Sequence, residues 1–167
     1  MNLKQMEYFV AAAEQLNFTR AAKKCFISQT AMTLQIQSLE EKIGVPLFVR
    51  DKHHVELTAA GKVYLNEARA ILVRAEEAAN RAAAVETADK LRNCTVKITA
   101  KGGANGKLFG AITGKEISEA LMAQFGLDVG KQKIVLDEPI KAFGTYEVKA
   151  KLGYEVSARF SVSVSEE

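Results

Sequence analysis

The chain has 167 residues, of which 48% are hydrophobic and 26% charged, and its formal net charge is +3. This composition excludes an intrinsically disordered chain, and the length allows one ordinary domain or two small ones. The opening residues MNLKQMEYF lack the apolar segment of a signal peptide, and no run approaches the roughly 18 apolar residues of a membrane span. Cys25 and Cys94 lie in unlike contexts without metal or disulfide spacing, so both are expected to be reduced, in a cytoplasmic protein.

Three helices and a β-hairpin are predicted in the first sixty residues. Apolar side chains recur at helical spacing over residues 3–15, Asn17 or Thr19 can cap a second short helix, and Ser28 can cap a third. The segments LFVR and VELT flank the turn DKHH and are predicted to be two strands. The third helix should bury one stripe, formed by Met32, Ile36, Leu39 and Ile43.

A long helix is predicted next, capped by Thr58 and running to about Leu91. Its stripe contains Leu65, Ala68, Ile71, Leu72, Ala75, Ala79, Ala82, Val85 and Glu86. The later part of this stripe is almost all alanine, which lets two helices approach closely and predicts association with a second helix. An isolated, solvated helix is the alternative, because Ala, Glu and Arg are all good helix formers.

The pattern changes at Asn93 to short alternating segments around one amphipathic helix, which predicts a small α+β domain. The predicted strands are CTVKITA, LFGAIT, KQKIVL, TYEVKAKL and EVSARFSVSVS, and the predicted helix is KEISEALMAQF. The segment KGGANGK forms a glycine-rich loop between the first two strands.

The outer face of the third helix carries small, uncharged side chains of the kind that fit a DNA groove. Gln can bond an adenine edge, Thr and Ser can bond bases or phosphates, and Leu can touch a thymine methyl. Basic residues of the second helix, Lys23 among them, and of the hairpin tip, where His54 also lies, could reach phosphates or a minor groove. A solvated surface is the alternative. The predicted DNA-binding residues are Thr19, Arg20, Lys24, Ser28, Gln29, Thr30, Thr33, Leu34, Gln37, Arg50, Lys52 and His53.

Catalytic, cofactor and metal sites are not expected. Adjacent hairpin residues His53 and His54 point to opposite faces, without a Cys or carboxylate cluster nearby. A nucleotide-binding loop needs four residues between its first glycine and the Gly-Lys pair, whereas here only three residues separate Gly102 from Gly106-Lys107. The loop still offers backbone N–H groups beside Lys101 and Lys107, which suits an RNA or other phosphate backbone.

Residues 1–90 resemble the DNA-binding region of a LysR-type transcriptional regulator. The resemblance lies in LKQMEYFVAAAEQLNFTRAAKK, ISQTAMTLQIQSLEEKIGVPLFVR and ELTAAGKVYL. It implies a winged helix-turn-helix whose third helix enters the major groove and whose linker helices form a homodimer. Thr30 stands where the family usually has Pro, and Leu34 where many members have Arg. The wing tip DKHH also replaces a more basic, glycine-containing turn, and these departures bear on target sequence and phosphate contacts.

Residues 91–167 resemble a different family, the C-terminal domain of the ninth protein of the bacterial large ribosomal subunit. The resemblance lies in TVKITAKGGANGKLFGAIT, KEISEAL, IVLDEPIKAFGTYEVKAKL and EVSARFSVSV. It implies a contact with large-subunit ribosomal RNA. By motif position, the RNA-facing residues are Lys101, Lys107, Phe109 and Lys115, although Phe109 could equally belong to the core.

The sequence therefore predicts a chimera, mainly α in a winged helix-turn-helix with a long linker helix and then a small α+β domain. The expected domains are residues 1–58, the linker helix 59–90 and residues 91–167. The expected function is sequence-specific binding of double-stranded DNA by a dimer without the effector-sensing domain of LysR-type regulators. The alternatives are a ribosomal RNA-binding protein and a C-terminal domain that is only an inert fusion partner.

Overall fold

The computed structural model describes residues 1–50, 54–103 and 107–166, which divide into two compact units, Met1–Glu77 and Ala78–Glu167. The helices are α1 (Leu3–Gln15), α2 (Phe18–Lys24), α3 (Gln29–Ile43), α4 (Ala59–Arg92) and α5 (Gly114–Phe125). The strands are β1 (Phe48–Arg50), β2 (Val55–Leu57), β3 (Thr95–Ala100), β4 (Lys107–Ile112), β5 (Ile134–Val135), β6 (Ile140–Ala142), β7 (Gly144–Gly153) and β8 (Val156–Glu166). The predicted fold class is confirmed.

Helices α1 to α3 begin where side-chain oxygens can accept backbone N–H groups. Asn17, rather than Thr19, caps α2 by accepting from the Arg20 N–H at 2.9 Å, and Ser28 caps α3 by accepting from the Ala31 N–H at 3.1 Å. Gly44 ends α3 in the left-handed conformation, with φ of 83°. The three-helix prediction is therefore correct, and the choice of cap for α2 is settled.

The core of the first unit lies where α1, α2, α3 and the first turns of α4 meet. Three side chains of the predicted α3 stripe, Met32, Ile36 and Leu39, are completely buried, and Ile43 packs against the same core at partial exposure. The ring of Phe48 on β1 lies 5.4 Å from that of Phe9 and 5.3 Å from that of Phe18, centroid to centroid. These contacts hold the hairpin against the helices.

Helix α4 approaches the hairpin very closely at its first turn. The Thr58 hydroxyl accepts from the Gly61 N–H at 2.9 Å and donates to the Pro46 carbonyl oxygen at 2.9 Å. A Cβ at Gly61 would lie 2.1 Å from the carbonyl oxygen of Leu47, so only glycine fits this position. The close contact between α4 and the hairpin therefore explains the glycine three residues after the Thr58 cap.

The stripe predicted along α4 does not form one continuous exposed surface. Ala68 is fully buried in the core of the first unit, and Leu65 and Leu72 pack against that core. This part of the seam is already occupied within the chain and cannot contact a second helix. The later residues of the predicted stripe, Ala79, Ala82, Val85 and Glu86, are exposed, and whether they contact a second helix stays a prediction. The α4 residues buried in the core of the second unit are instead Ala84, Ala88 and Leu91.

The second unit is built around a four-stranded sheet of order β3-β8-β7-β5. Strand β3 runs parallel to β8, whereas β7 is antiparallel to both β8 and β5. Helix α5 contributes Ile117 and Leu121 to the core beneath one face of this sheet. A separate pair, β4 and β6, is antiparallel with a register shift.

One strand prediction in this unit was wrong in detail, and one strand was not predicted. Residues Lys131–Lys133, predicted as the start of a strand, form a short 3-10 helix, and only Ile134–Val135 pair with β7. These three residues are exposed and offer no apolar side chain to a sheet. The strand Ile140–Ala142 was not predicted, because it has only three residues and directly follows Pro139, which cannot donate a backbone hydrogen bond to a sheet.

Candidate nucleic-acid interface

The outer face of α3 presents the side chains that the sequence predicted. Gln29, Thr30, Leu34 and Gln37 are exposed, and Thr33 is half-buried between them. Ser28 is also exposed, and its oxygen accepts the capping hydrogen bond, which leaves its O–H able to donate. The opposite face of the helix is anchored by its completely buried stripe. The geometry therefore offers a rigid helix with an uncharged, polar outer surface.

Basic groups flank this face on α2, but they are not equally available. Lys24 donates to Glu14 at 2.9 Å, and Arg69 of α4 reaches the same carboxylate at 3.2 Å. The hydrogen bond from Lys24, with a smaller one from Arg69, lowers the pKa of Glu14 below its ordinary value. Thr19 and Arg20 are exposed in the first turn, and Arg20 forms no ion pair with any described residue. Of these two side chains, Arg20 is thus the one without an ion-pair partner among the described residues.

Arg50, predicted as a DNA contact on the hairpin, is held by two intramolecular partners. Its guanidinium donates to Glu40 at 2.9 Å and lies 4.6 Å from the centre of the Phe18 ring. Its side chain keeps 28% of its accessible surface. Arg50 therefore positions the start of the hairpin, whatever further contact its exposed edge makes. Lys52 and His53 lie outside the described residues.

Glu40 was not predicted from the sequence, although it connects α3 to the hairpin. One of its carboxylate oxygens accepts from the backbone N–H groups of Leu47 at 2.8 Å and Phe48 at 3.0 Å, and the other accepts from Arg50. Only 17% of its side-chain surface is accessible. Periodicity assigns Glu40, which follows the buried Leu39, to the surface of the helix. The sequence therefore gave no signal of its contacts with the hairpin.

The turn between α2 and α3 also carries an unexpected feature. Phe26 has a φ of 56° and is 95% exposed. Its backbone conformation is the left-handed one that a helix-turn-helix needs there, because Ile27 N–H must return to the Ala22 carbonyl oxygen at 3.0 Å. Periodicity gives no sign of such an exposed aromatic side chain.

The glycine-rich loop of the second unit presents Phe109 to solvent. Phe109 is 79% exposed, so it is not a core residue; it lies on β4 two residues after the exposed Lys107, with its backbone paired to that of the exposed Lys101. Hydrogen bonds from Phe109 N–H to Lys101 O (3.0 Å) and from Gly103 N–H to Lys107 O (2.7 Å) fix the backbone. Lys115 lies on α5 instead, with its ammonium 3.8 Å from the Glu119 carboxylate.

In the part of the chain that the structure describes, no His, Cys, Asp and Glu side chains gather as they would around a metal ion. No helix there is long and apolar enough to cross a membrane. Two surfaces bring candidate binding residues together. One is the polar outer face of α3 with the adjacent α2, and the other consists of Lys101, Lys107 and Phe109 around the start of β4.

Comparison with known proteins matches each half of the chain separately. The family described as "Bacterial regulatory helix-turn-helix protein, lysR family" matches residues 3–62, and "Ribosomal protein L9, C-terminal domain" matches residues 82–166. The L9 model covers half of the chain, which therefore belongs to that family, and its first part matches the lysR-family helix-turn-helix. It is a chimera of a lysR-family helix-turn-helix and an L9 C-terminal domain, as the sequence predicted. We call Met1–Glu77 the LysR-type unit and Ala78–Glu167 the L9-type unit.

Individual relatives follow the same division. The Hca operon transcriptional activator HcaR of Escherichia coli K12 is 51% identical over 90 residues, which cover 54% of this chain and 30% of HcaR. The large ribosomal subunit protein bL9 of Oceanobacillus iheyensis is 52% identical over 83 residues, covering 50% of this chain and 56% of bL9. The chain thus spans about a third of one relative and about half of the other.

Solved structures similar to the LysR-type unit include two complexes with DNA. The CbnR_DBD–DNA complex is 42% identical with a TM-score of 0.50, covering 52% of this chain and 99% of that one. The complex of BenM_DBD with benA site 1 DNA is 32% identical with a TM-score of 0.50, covering 52% and 97%.

Replacing Glu40 by Ala should destabilise the LysR-type unit by about 2 kcal/mol, because two backbone N–H groups and Arg50 lose their acceptor. Glu40→Gln should cost less, since the amide oxygen can still accept from Leu47 and Phe48. Glu41→Ala, at the exposed neighbouring position, is the control and should stay within about 0.5 kcal/mol. Urea unfolding followed by circular dichroism measures all three. Equal stability of the Glu40→Ala and Glu41→Ala variants would contradict the bracing role of Glu40.

Proposed function

We propose that this protein is a sequence-specific DNA-binding protein of the LysR transcriptional-regulator type, a binding protein rather than an enzyme, acting in the cytoplasm. The observation that carries the proposal is the rigid α3 with its exposed Gln29, Thr30, Leu34 and Gln37 above a fully buried stripe. Solved relatives in complex with DNA share this unit at 32–42% identity. A helix of this kind can insert into the major groove and read base edges.

The residues divide into two roles under this proposal. Gln29, Thr33 and Leu34 would contact base edges, whereas Thr19, Arg20 and Ser28 would hold phosphates at the rim of the groove. Lys24 would contribute less, since its ammonium is already paired with the Glu14 carboxylate. The uncharged Thr30 and Leu34 indicate a target read more by hydrogen bonds and methyl contacts than by guanine-directed Arg.

Gln29→Ala should alter the preferred sequence at one base position and remove about 1–3 kcal/mol of discrimination there. Arg20→Ala should instead weaken binding to every duplex alike and make the slope of log K against log salt less steep by about 0.9. Binding of each variant to a panel of duplexes that differ by single base pairs measures both effects. If the two substitutions act identically on all duplexes, direct reading by α3 is wrong.

We further propose that two copies associate through α4, using a face other than the seam that packs on the core of the LysR-type unit. Val63 and Val73 are 65% and 54% exposed, and Ala70 between them is also exposed. Spacings of seven and three residues put all three on one side of the helix. An apolar strip of this kind is costly to leave in water and suits a second copy of the same helix.

Val73→Glu should weaken this dimer roughly 30-fold or more, because an unpaired carboxylate in the interface costs about 2 kcal/mol. Val49→Glu, at a similarly exposed valine of the hairpin (58% against 54% for Val73), is the matched control and should leave the dissociation constant unchanged. Sedimentation equilibrium of the full chain at micromolar concentration measures the dissociation constant. A dimer that resists Val73→Glu, or a wild-type monomer, would contradict this interface.

A second candidate function is binding to large-subunit ribosomal RNA through the L9-type unit. It is favoured by the exposed Phe109, which lies on β4 near the exposed Lys101 and Lys107, since an exposed aromatic ring close to cations can stack on an unpaired base. Lys115, on α5 and partnered by Glu119, would contribute less.

Phe109→Ala should reduce co-sedimentation of the full chain with ribosomes several-fold, because a stacked base is worth about 1–3 kcal/mol. Met122→Ala, which removes an exposed apolar side chain from α5, is the control. If the chain does not co-sediment, or if both variants behave like the parent, the loop does not bind ribosomal RNA.

A further inference from the structure

The outer face of the four-stranded sheet in the L9-type unit is basic and rich in hydroxyl groups. Alternate residues of β7 and β8, such as Val148, Phe160 and Val162, point into the core and are buried. The intervening residues point outward and, together with those of β3, form one face. This face carries Lys97, Lys149, Lys151 and Arg159, one carboxylate at Glu147, and Thr and Ser hydroxyls between them.

The like charges on this face disfavour the folded sheet. Lys149 lies directly opposite Arg159 in the β7–β8 register, and Lys151 follows on the same side of β7. Like charges on directly opposed residues destabilise a sheet. Arg159 is partly compensated by Glu147 at 3.1 Å, whereas Lys97, Lys149 and Lys151 form no ion pair with any described residue. Three ammonium groups without an ion-pair partner among the described residues thus lie on one face of the sheet, with Glu147 on the same face and Glu155 beside Lys149 and Lys151.

The chemistry of the face selects among anionic partners. Its outward side chains include no aromatic ring among the described residues, so it lacks the platform on which unpaired bases stack. Ammonium and hydroxyl groups are, however, the usual ligands of backbone phosphate oxygens. The surface therefore suits the outside of a duplex more than a single strand.

We propose that this sheet face binds the phosphate backbone of double-stranded DNA without sequence preference. The inference rests on the proposed function, because a chain held on DNA by α3 presents its second unit to the same DNA at high effective concentration. The face is separate from the loop that carries Lys101, Lys107 and Phe109. Its contribution would be salt-sensitive affinity added to the sequence preference supplied by α3.

The test compares the full-length parent with the triple variant Lys97→Gln, Lys149→Gln and Lys151→Gln. The control variant, Lys131→Gln, Lys133→Gln and Lys141→Gln, removes the same charge from exposed lysines that lie off this face. Binding to a duplex of arbitrary sequence is measured over a salt series. The sheet variant should lose at least about tenfold in affinity at low salt, and its slope of log K against log salt should flatten by about 2–3. The control should match the parent.

Equal slopes for the two triple variants would overturn the proposal, as would an effect of the sheet variant on duplex RNA or anionic vesicles with none on DNA. The Gln29→Ala variant separates this test from that of α3. If Gln29→Ala leaves sequence preference intact while the sheet variant flattens the slope, the α3 proposal fails and the sheet proposal survives. The converse result rejects the sheet proposal alone.

Discussion

The packing of α3 through Met32, Ile36 and Leu39 is the interaction on which the candidate DNA interface depends. All three side chains are completely buried, so the helix cannot rotate or slide without opening the core of the LysR-type unit. The opposite face is thereby fixed in direction. Glu40 then ties the hairpin to the same helix through two backbone N–H groups and Arg50. A reading surface needs this rigidity, because contacts to base edges discriminate only when their geometry is fixed.

Helix α4 explains how two unrelated families can share one chain. Its early turns bury Ala68 in the core of the LysR-type unit, and its last turns bury Ala88 and Leu91 in the core of the L9-type unit. Each unit therefore has its own core, and the junction has only to continue the helical repeat. Alanine is suited to this because it favours the helix while allowing neighbouring elements to approach closely.

The arrangement of elements could be predicted from sequence where one pattern dominated. The buried stripe of α3 and the alternation in β7 and β8 fixed these elements, because a period of 3.6 or 2 leaves little choice of face. The seam of α4 was misjudged between Leu65 and Leu72, since periodicity shows that a face is apolar but not which partner covers it. The ion pair between Glu40 and Arg50 was not predicted for a related reason, since it joins residues that no periodic pattern connects.

Surface residues were the hardest to predict. Phe109 could have been core or exposed by pattern, and its 79% exposure follows from the hairpin backbone of the glycine-rich loop. Phe26 is exposed because the turn between α2 and α3 requires a left-handed residue, a backbone demand that side-chain hydrophobicity does not report. Such positions depend on how the backbone turns, and the turn becomes visible only in three dimensions.

The most direct test of the central claim is selection of duplexes from a random DNA pool by the purified full-length protein at near-physiological salt, followed by sequencing of the retained molecules. The proposal that α3 reads base edges in a dimer predicts enrichment of one motif with two-fold symmetry. Retention of duplexes without any enriched motif, by a protein shown to be folded, would contradict it and leave only sequence-independent binding.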